Sequence, residues 1–406
     1  MDQLATIKKK VLVFIPEFPV LTETFIEREL AEISRRGKID LQILSLAKGS
    51  GEVSSELEGK IFYKRLGIFT LLSSLSLFFT HCKNISKALS MLHICELPLF
   101  SKYYFLIKGM GYAQLFRSFK PDFVIAHFMS DASTVAAEAA MILGIPFAIS
   151  AHAKDVTVKP HCIKGKIEKA AFVLVCNRRA LEYCVYSVHH NFSHKILLKY
   201  HGLNLTSFGR TQGNGEIPLI LNIARLEEKK GQKFLIEAAK NMKDAGLKFK
   251  IVIIGPGSLY EELEKMISDM GLVGYVEIVG GGMGLPFSEI CKYYLRADVF
   301  AFSGVNTQEG DADGIANVLL EAAASHIPIV ATDSGSTTEF LEDGKSAIIV
   351  QQKNSAVLAE AIIKLLNDRV YANKLAEEAY KRVATDFDIN VTAAAIEDLI
   401  VKEIYQ

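Results

Sequence analysis

A chain of 406 residues, half of them hydrophobic and 23% charged, is long enough for two or three domains, each with a sizeable core. Lys plus Arg balances Asp plus Glu at 46 each, which argues against nucleic acid as the main partner. Six cysteines without a Cys-x-x-Cys pair read as a reduced, cytosolic pattern, with Cys176 and Cys291 as buried thiols, rather than a disulfide framework or zinc site.

In chain order, Lys8, Lys9 and Lys10 run into an apolar segment at 11–15. It is too short for a signal peptide and reads as a buried first strand. Thr24 and Glu27 then have the spacing of a capping box at a helix start. The region 59–117 is rich in Leu, Phe and Tyr with interspersed Lys, and reads as helices inserted between strands. Its greasiest part, 66–80, falls short of the ~20 residues needed to span a bilayer. Flanked by Lys64, Arg65, Lys83 and Lys87, it suits an interfacial amphipathic helix, or equally a helix packed on its own domain.

Strand-length apolar runs fall at 11–16, 41–46, 123–127, 147–152, 172–176 and 196–201, and again at 219–225, 250–255, 275–280, 299–303, 327–332 and 347–350. Their near-continuous Val, Ile, Leu and Phe indicate parallel strands covered on both faces. Intervening helices such as 232–242 put Leu235, Ala238, Ala239 and Met242 on one stripe. Two such sets make two doubly wound α/β domains, with ligands expected outside the carboxyl ends of the strands. The polar, Gly-rich run 210–216 reads as the linker. No internal sequence repeat is visible.

The candidate site residues lie after these strands. In Ala151-His-Ala-Lys-Asp155, His152 and Asp155 follow one strand; His201, Gly202 and Asn204 follow another. Arg225 ends the first strand of the second set, and Lys230 precedes Gly231 and a helix. A fork donor and a point cation so placed suit a diphosphate, though each also reads as a solvated surface charge. Ile253-Ile-Gly-Pro-Gly-Ser258 lacks a full dinucleotide fingerprint, as does Gly280-Gly-Gly-Met-Gly284, whose backbone suits approach to a flat base. The stretch from Glu309 to Glu321 passes from acids and glycines into a helix at Asn317. That helix start suits a phosphate; Asp313 and Glu321 suit sugar and ribose hydroxyls. The alternatives are a helix capped by Asn317 or the preceding acids, and a divalent metal at Asp311 and Asp313, which lacks further ligands.

The ordered set His-Gly-x-Asn, Arg-x4-Lys-Gly, Gly-Pro-Gly and Asp-Gly-Ile-Ala-Asn-x3-Glu resembles the retaining glycosyltransferases of family 4. The N-terminal half, through residues 17–26, Ala126-His127-Phe128 and 151–155, resembles the subgroup making bacterial exopolysaccharides such as colanic acid. The resemblance implies the GT-B fold: two Rossmann-like doubly wound domains facing across a cleft. Residues 1–209 would bind the acceptor and 210–387 the nucleotide sugar, with a last helix at about 388–406 returning to the first domain. It implies that Arg225 and Lys230 bind the donor diphosphate, Glu321 the ribose, Asp313 the transferred sugar, and His152 sits over that sugar. The backbone at Ile315, Ala316, Asn317 and Val318 would meet the phosphates, and the loop around Gly282 the base. Three departures look conservative: Asp313 where Glu is usual, Asn204 where Asp is common, and Ala316 where Pro is common. The Gly-rich turn that many members place after the first strand is missing, which bears on acceptor type.

The implied activity is retaining transfer of a hexose from a UDP-, GDP- or other nucleoside diphosphate sugar to a glycan or lipid-linked acceptor in surface polysaccharide biosynthesis. It calls for no metal and no cofactor. The protein is expected in the cytoplasm, with a peripheral contact to the inner face of the membrane through 59–117. The rivals are a catalytically silent nucleotide-sugar-binding subunit and a sugar epimerase of the same fold.

Overall fold

The computed structural model describes residues 8–20, 23–158, 160–211, 215–309 and 311–405. The chain divides into two units, Met1–Gly202 with Ile389–Gln406, and Leu203–Asp388. The stretch at 210–216 lies inside the second unit, and Gln212, Gly213 and Asn214 of it are outside the described residues. Its start is already packed there: the Thr211 hydroxyl donates to the Ala297 carbonyl (2.7 Å), and Arg210 pairs with Glu377.

In the first unit, β1 (Lys10–Phe18), β2 (Asp40–Lys48), β3 (Ile61–Tyr63), β4 (Phe123–His127), β5 (Phe147–Ala151), β6 (Val173–Val175) and β7 (Ile196–Leu198) form one sheet in the order β3-β2-β1-β4-β5-β6-β7. Every pairing is parallel. In the second unit, β8 (Leu219–Ile223), β9 (Lys250–Ile254), β10 (Val276–Val279), β11 (Val299–Phe302), β12 (Ile329–Thr332) and β13 (Ile348–Val350) follow the order β10-β9-β8-β11-β12-β13, also parallel. Strand order reverses beside β1 in one sheet and beside β8 in the other, the doubly wound arrangement.

The helices of the first unit are α1 (Thr24–Arg36), α2 (Ile68–Thr80), α3 (Cys82–Ile94), α4 (Leu99–Phe119), α5 (Asp131–Leu143), α6 (Ala153–Thr157), α7 (Ile163–Lys169) and α8 (Arg178–Ser187). The second has α9 (Gln232–Asp244), α10 (Tyr260–Asp269), α11 (Phe287–Tyr294), α12 (Asn317–Ala324), α13 (Thr337–Phe340), α14 (Ser355–Asn367) and α15 (Arg369–Asp386). The last helix, α16 (Ile389–Ile404), belongs to the first unit.

Strand period decides what each sheet face buries. In β1, Val11, Val13 and Ile15 join Ile26, Leu30 and Ile33 of α1 and Ala393, Ile396 and Ile400 of α16 in one cluster. The alternate residues, Leu12 and Phe14, join Met110 and Phe116 of α4 and Ala136 and Ala140 of α5 in another. Each fully buried side chain of this size stabilises by roughly 1.5–3 kcal/mol, so a one-residue slip of β1 would exchange two complete sets of partners.

Four expectations are corrected. Ile61–Tyr63, within the region read as helical, is an edge strand paired with β2; three residues carry too little periodicity to stand out. Thr24 is the first residue of α1 rather than its cap: the cap position is Glu23, without a side-chain cap bond. Glu27 instead accepts the Ser54 N–H at 3.0 Å. Leu21 and Thr22, part of the motif just before it, are outside the described residues. Cys95, after α3, and Cys162, before α7, are joined by a disulfide, their Cα atoms 4.9 Å apart. They lie 67 residues apart in sequence, a separation that no local pattern reveals. Cys176 and Cys291 are only half-buried, and the buried thiol is Cys184.

Candidate functional site

Site residues in both units collect at the carboxyl ends of the strands. In the second unit the backbone is the first determinant. Gly231, directly after Lys230, has φ +62°, and a Cβ there would lie 2.0 Å from the Ser303 carbonyl oxygen. Only glycine lets the turn after β8 come so close to the end of β11. The Ser303 hydroxyl donates to the Lys230 carbonyl (2.9 Å), and the Gln232 amide donates to the Arg225 carbonyl (2.9 Å). The backbone carrying both cations is therefore held at two points.

These cations face acids. Lys230 Nζ lies 2.7 Å from Asp313 Oδ2, with about a tenth of its side chain exposed. Lys229, which the sequence motif did not single out, is equally covered and reaches Asp311 (3.3 Å) and Asp313 (3.9 Å). Arg225 pairs with Glu227 at 2.6 Å and keeps 41% of its side chain exposed. The solvated-charge reading thus fits Arg225 better than Lys230. The Asp313 carbonyl is fixed by the Ser336 N–H (3.1 Å), and a Cβ on Gly335 would meet it at 2.1 Å.

Residues 311–318 are all half-buried, and α12 begins within them. Its cap position is Ala316, without a side-chain cap bond. Asn317 is thus the first residue of α12 rather than its cap. Leu319 N–H is taken by the Ala316 carbonyl (2.9 Å); the first N–H groups of a helix have no partner within it. Gly310 is outside the described residues. Glu321, one turn in, is 6% exposed, and its Oε2 accepts the Tyr294 hydroxyl at 2.8 Å. A protein hydroxyl from α11 thus supplies one donor to the carboxylate that suits ribose hydroxyls.

The two Gly-rich turns meet. Gly257 N–H donates to the Gly282 carbonyl at 3.2 Å, and Pro256 bridges Met283. A Cβ on Gly282 would lie 2.7 Å from the Tyr260 ring, so this glycine is required for packing on α10, whatever else its backbone approaches.

In the first unit the ends of four adjacent strands carry His127, His152, Cys176 and His201. Asp155 accepts the His152 N–H (2.9 Å) and the Met129 N–H, pinning the turn from β5 into α6 and so the backbone of His152. His152 is 6% exposed, stacked on His127 with 5.6 Å between centroids and flanked by Phe25 and Phe128. His152 Nδ1 lies 3.0 Å from His201 Nε2.

Burial pushes the His127 imidazole down to about 4, and burial together with the neighbouring His201 and His127 holds His152 well below its ordinary range. Burial works the same way on His201, but Cys176 and Glu29 outweigh it and lift His201 to about 10; the Glu29 carboxylate is 3.6 Å from its Nδ1. A charged His201 donates to His152 Nδ1, which leaves the His152 proton on Nε2. That Nε2 is buried with no partner. The cluster escaped the sequence reading because its members are spread over 74 residues; only the parallel order of β4 to β7 makes them neighbours.

Residues 206–382 match the family model described as Glycosyl transferases group 1. The amylovoran biosynthesis glycosyltransferase AmsK of Erwinia amylovora is 30% identical over 45% of this chain and 44% of its own length. WcaL of Escherichia coli K12, named for colanic acid biosynthesis, is 31% identical over 51% of each. The chain spans about half the length of these curated relatives. The crystal structure of Anabaena Alr3699/HepE in complex with UDP covers 97% of this chain and is itself wholly covered, with a TM-score of 0.70 at 16% identity. That likeness shows the GT-B fold, and the matches show the glycosyltransferase resemblance carried by the motifs.

Proposed function

We propose that this chain, whose second unit matches the group 1 glycosyl transferases, transfers a sugar from a nucleoside diphosphate sugar to a glycan or lipid-linked acceptor in bacterial surface polysaccharide biosynthesis. The observation that carries the reading is the pairing of Lys230 with Asp313 at the mouth of α12, with Arg225 at the end of β8 and Glu321 one turn inside. In this reading the acids hold the cations in place until a donor enters. The diphosphate then takes Lys230 and Arg225, and Asp313 turns to the sugar.

Cleaving the sugar–phosphate bond builds negative charge on the leaving diphosphate. Positioned cations and helix N–H groups stabilise that charge without a metal, each worth a few kcal/mol by analogy with an oxyanion-hole donor, about 3–4 kcal/mol. Attack from the leaving-group face retains configuration, and the departing phosphate oxygen can take the acceptor proton. His152, neutral with its proton on Nε2, offers a donor to a sugar hydroxyl. UDP is the ligand of the Anabaena neighbour, which makes it the first nucleotide to try.

The same reading places the protein at the cytoplasmic membrane surface. No helix among the described residues is long and apolar enough to cross a membrane. On α2 and α4, however, Ile68, Phe79, Leu99 and Phe100 are each at least 65% exposed, and Lys83 and Lys87 are exposed nearby on α3. Exposed large side chains flanked by lysines suit an anionic interface.

The test is calorimetry of the intact chain with UDP, GDP and their sugars, and of Lys230→Ala. One nucleotide should bind, and Lys230→Ala should weaken it roughly tenfold to a hundredfold, about 1.4–2.7 kcal/mol. Transfer should persist in EDTA. Unchanged affinity in Lys230→Ala, or activity that requires Mn²⁺ or Mg²⁺, would overturn this reading.

A further inference from the structure

The cluster at the ends of β5, β6 and β7 has a chemistry that sugar transfer does not use. His152, Cys176 and His201 each present one ligand atom, and these atoms all lie within 4.8 Å of one another. The two facing ring nitrogens are 3.0 Å apart, close to the ~3.3 Å edge of a tetrahedral site with Zn–N bonds of about 2.0–2.1 Å. On the far side of its ring from this pair, His201 Nδ1 is buried without a hydrogen-bond partner, although buried polar atoms are normally paired. Behind His201 stands Glu29, 4% exposed, with its carboxylate 3.6 Å from Nδ1. A carboxylate behind a ligating imidazole orients the ring and raises its basicity.

We propose that His152, Cys176 and His201 form a binding site for zinc or a similar borderline-soft divalent ion, with Glu29 as its supporting carboxylate. The ion replaces the proton shared by the two imidazoles, and the Cys176 thiol gives up its proton to solvent. Two nitrogens and one thiolate suit zinc better than magnesium or calcium, which take oxygen ligands. Three protein ligands leave a fourth position open for water. Glu29 favours positive charge at this spot, whether a proton on His201 or a metal. The site differs from the Asp311 and Asp313 pair, whose carboxylates face lysines. An ion held at His152 Nδ1 leaves the Nε2 proton of His152 in place, so the site and the sugar-facing role proposed for that proton are compatible, and the site does not rest on the functional reading.

The test uses the intact chain, anaerobically and with its disulfide intact, titrated with Co²⁺ as a spectroscopic stand-in for zinc. A cobalt–thiolate charge-transfer band should grow to one ion per chain and disappear when Zn²⁺ is added. Cys176→Ser should lose the band while keeping the melting temperature of the metal-free chain. Cys82→Ser, at an exposed thiol on another element, should keep it. Glu29→Gln should bind zinc roughly 10- to 100-fold more weakly. No band in the unmodified chain, or an undiminished band in Cys176→Ser, overturns the site. Either result leaves nucleotide binding by the second unit to be judged by its own calorimetry.

Discussion

Glu321 shows how a single carboxylate can be legible in sequence while its surroundings are not. Its place one turn inside a helix, beside apolar neighbours, marks it as an acid that needs donors. That the first donor is Tyr294, 27 residues earlier in sequence, follows only from α11 packing beside α12. Glu321→Gln keeps an acceptor for Tyr294, so the fold should survive, but it loses the charge-assisted part of a bond to ribose, about 1–2 kcal/mol. Calorimetry should show roughly tenfold weaker nucleotide binding at an unchanged melting temperature. Wild-type affinity would remove the ribose role.

Glu138 on α5 is a second residue-scale case. It is fully buried and both carboxylate oxygens lack a partner. Burial lifts its carboxyl from 4.5 to about 8. Below the lower value both folded and unfolded chains hold the proton, and its contribution to stability is complete. Between the two values the unfolded chain binds fewer protons, so stability falls by about 1.4 kcal/mol per pH unit until the folded group also ionises. Urea unfolding at pH 5 and pH 8 should show this loss, and Glu138→Gln should reduce it. An equal loss in the variant would assign the slope to other groups.

At the scale of elements, one buried charge adds to the apolar docking of α16. The Glu397 side chain is fully covered and accepts from Arg36 Nε (2.9 Å) and the Lys38 N–H (3.1 Å), both at the end of α1. Removing Arg36 leaves that carboxylate covered with one neutral donor, a change that costs about 3 kcal/mol. Arg36→Ala should lower the melting temperature and speed amide exchange in Ile389–Ile404 before the rest of the first unit; unchanged protection there would show that the apolar face of α16 suffices. The approach of α16 also explains Gly202: a Cβ there would sit 2.2 Å from Thr392 Oγ1. In sequence Gly202 reads only as part of a family motif, because its constraint comes from a helix almost 190 residues later.

At the scale of the molecule, the alternation of apolar runs and helices, twice over, was enough to expect two doubly wound sheets. It carried no information about how the inserted region 59–117 presents its apolar side chains, since a core helix and an interfacial helix share one composition. The structure exposes Phe79 and Phe100 at 84% each, the observation behind the proposed membrane contact. Flotation with anionic liposomes at low salt should carry the intact chain upward, and Phe79→Ser with Phe100→Ser should weaken that binding. Absence of flotation in the unmodified chain would remove the membrane contact from the proposal.

What the sequence determined by itself is whatever depends on local period and local chemistry. This covers the parallel strands, whose unbroken apolar runs admit no solvent face, and the glycines next to Lys230 and in the turns; for Arg225, Lys230, Asp313 and Glu321 it supplied an expectation of a ligand site. Tertiary structure alone decided the partners. Lys230 meets Asp313 because β8 and β11 are adjacent in the sheet. Cys95 meets Cys162 because α3 packs on α7, and His152, Cys176 and His201 converge because β5, β6 and β7 run side by side. Contacts between residues tens of positions apart are set by strand order, and strand order is an outcome of burying two sheet faces at once, a property of the whole chain rather than of any stretch of it.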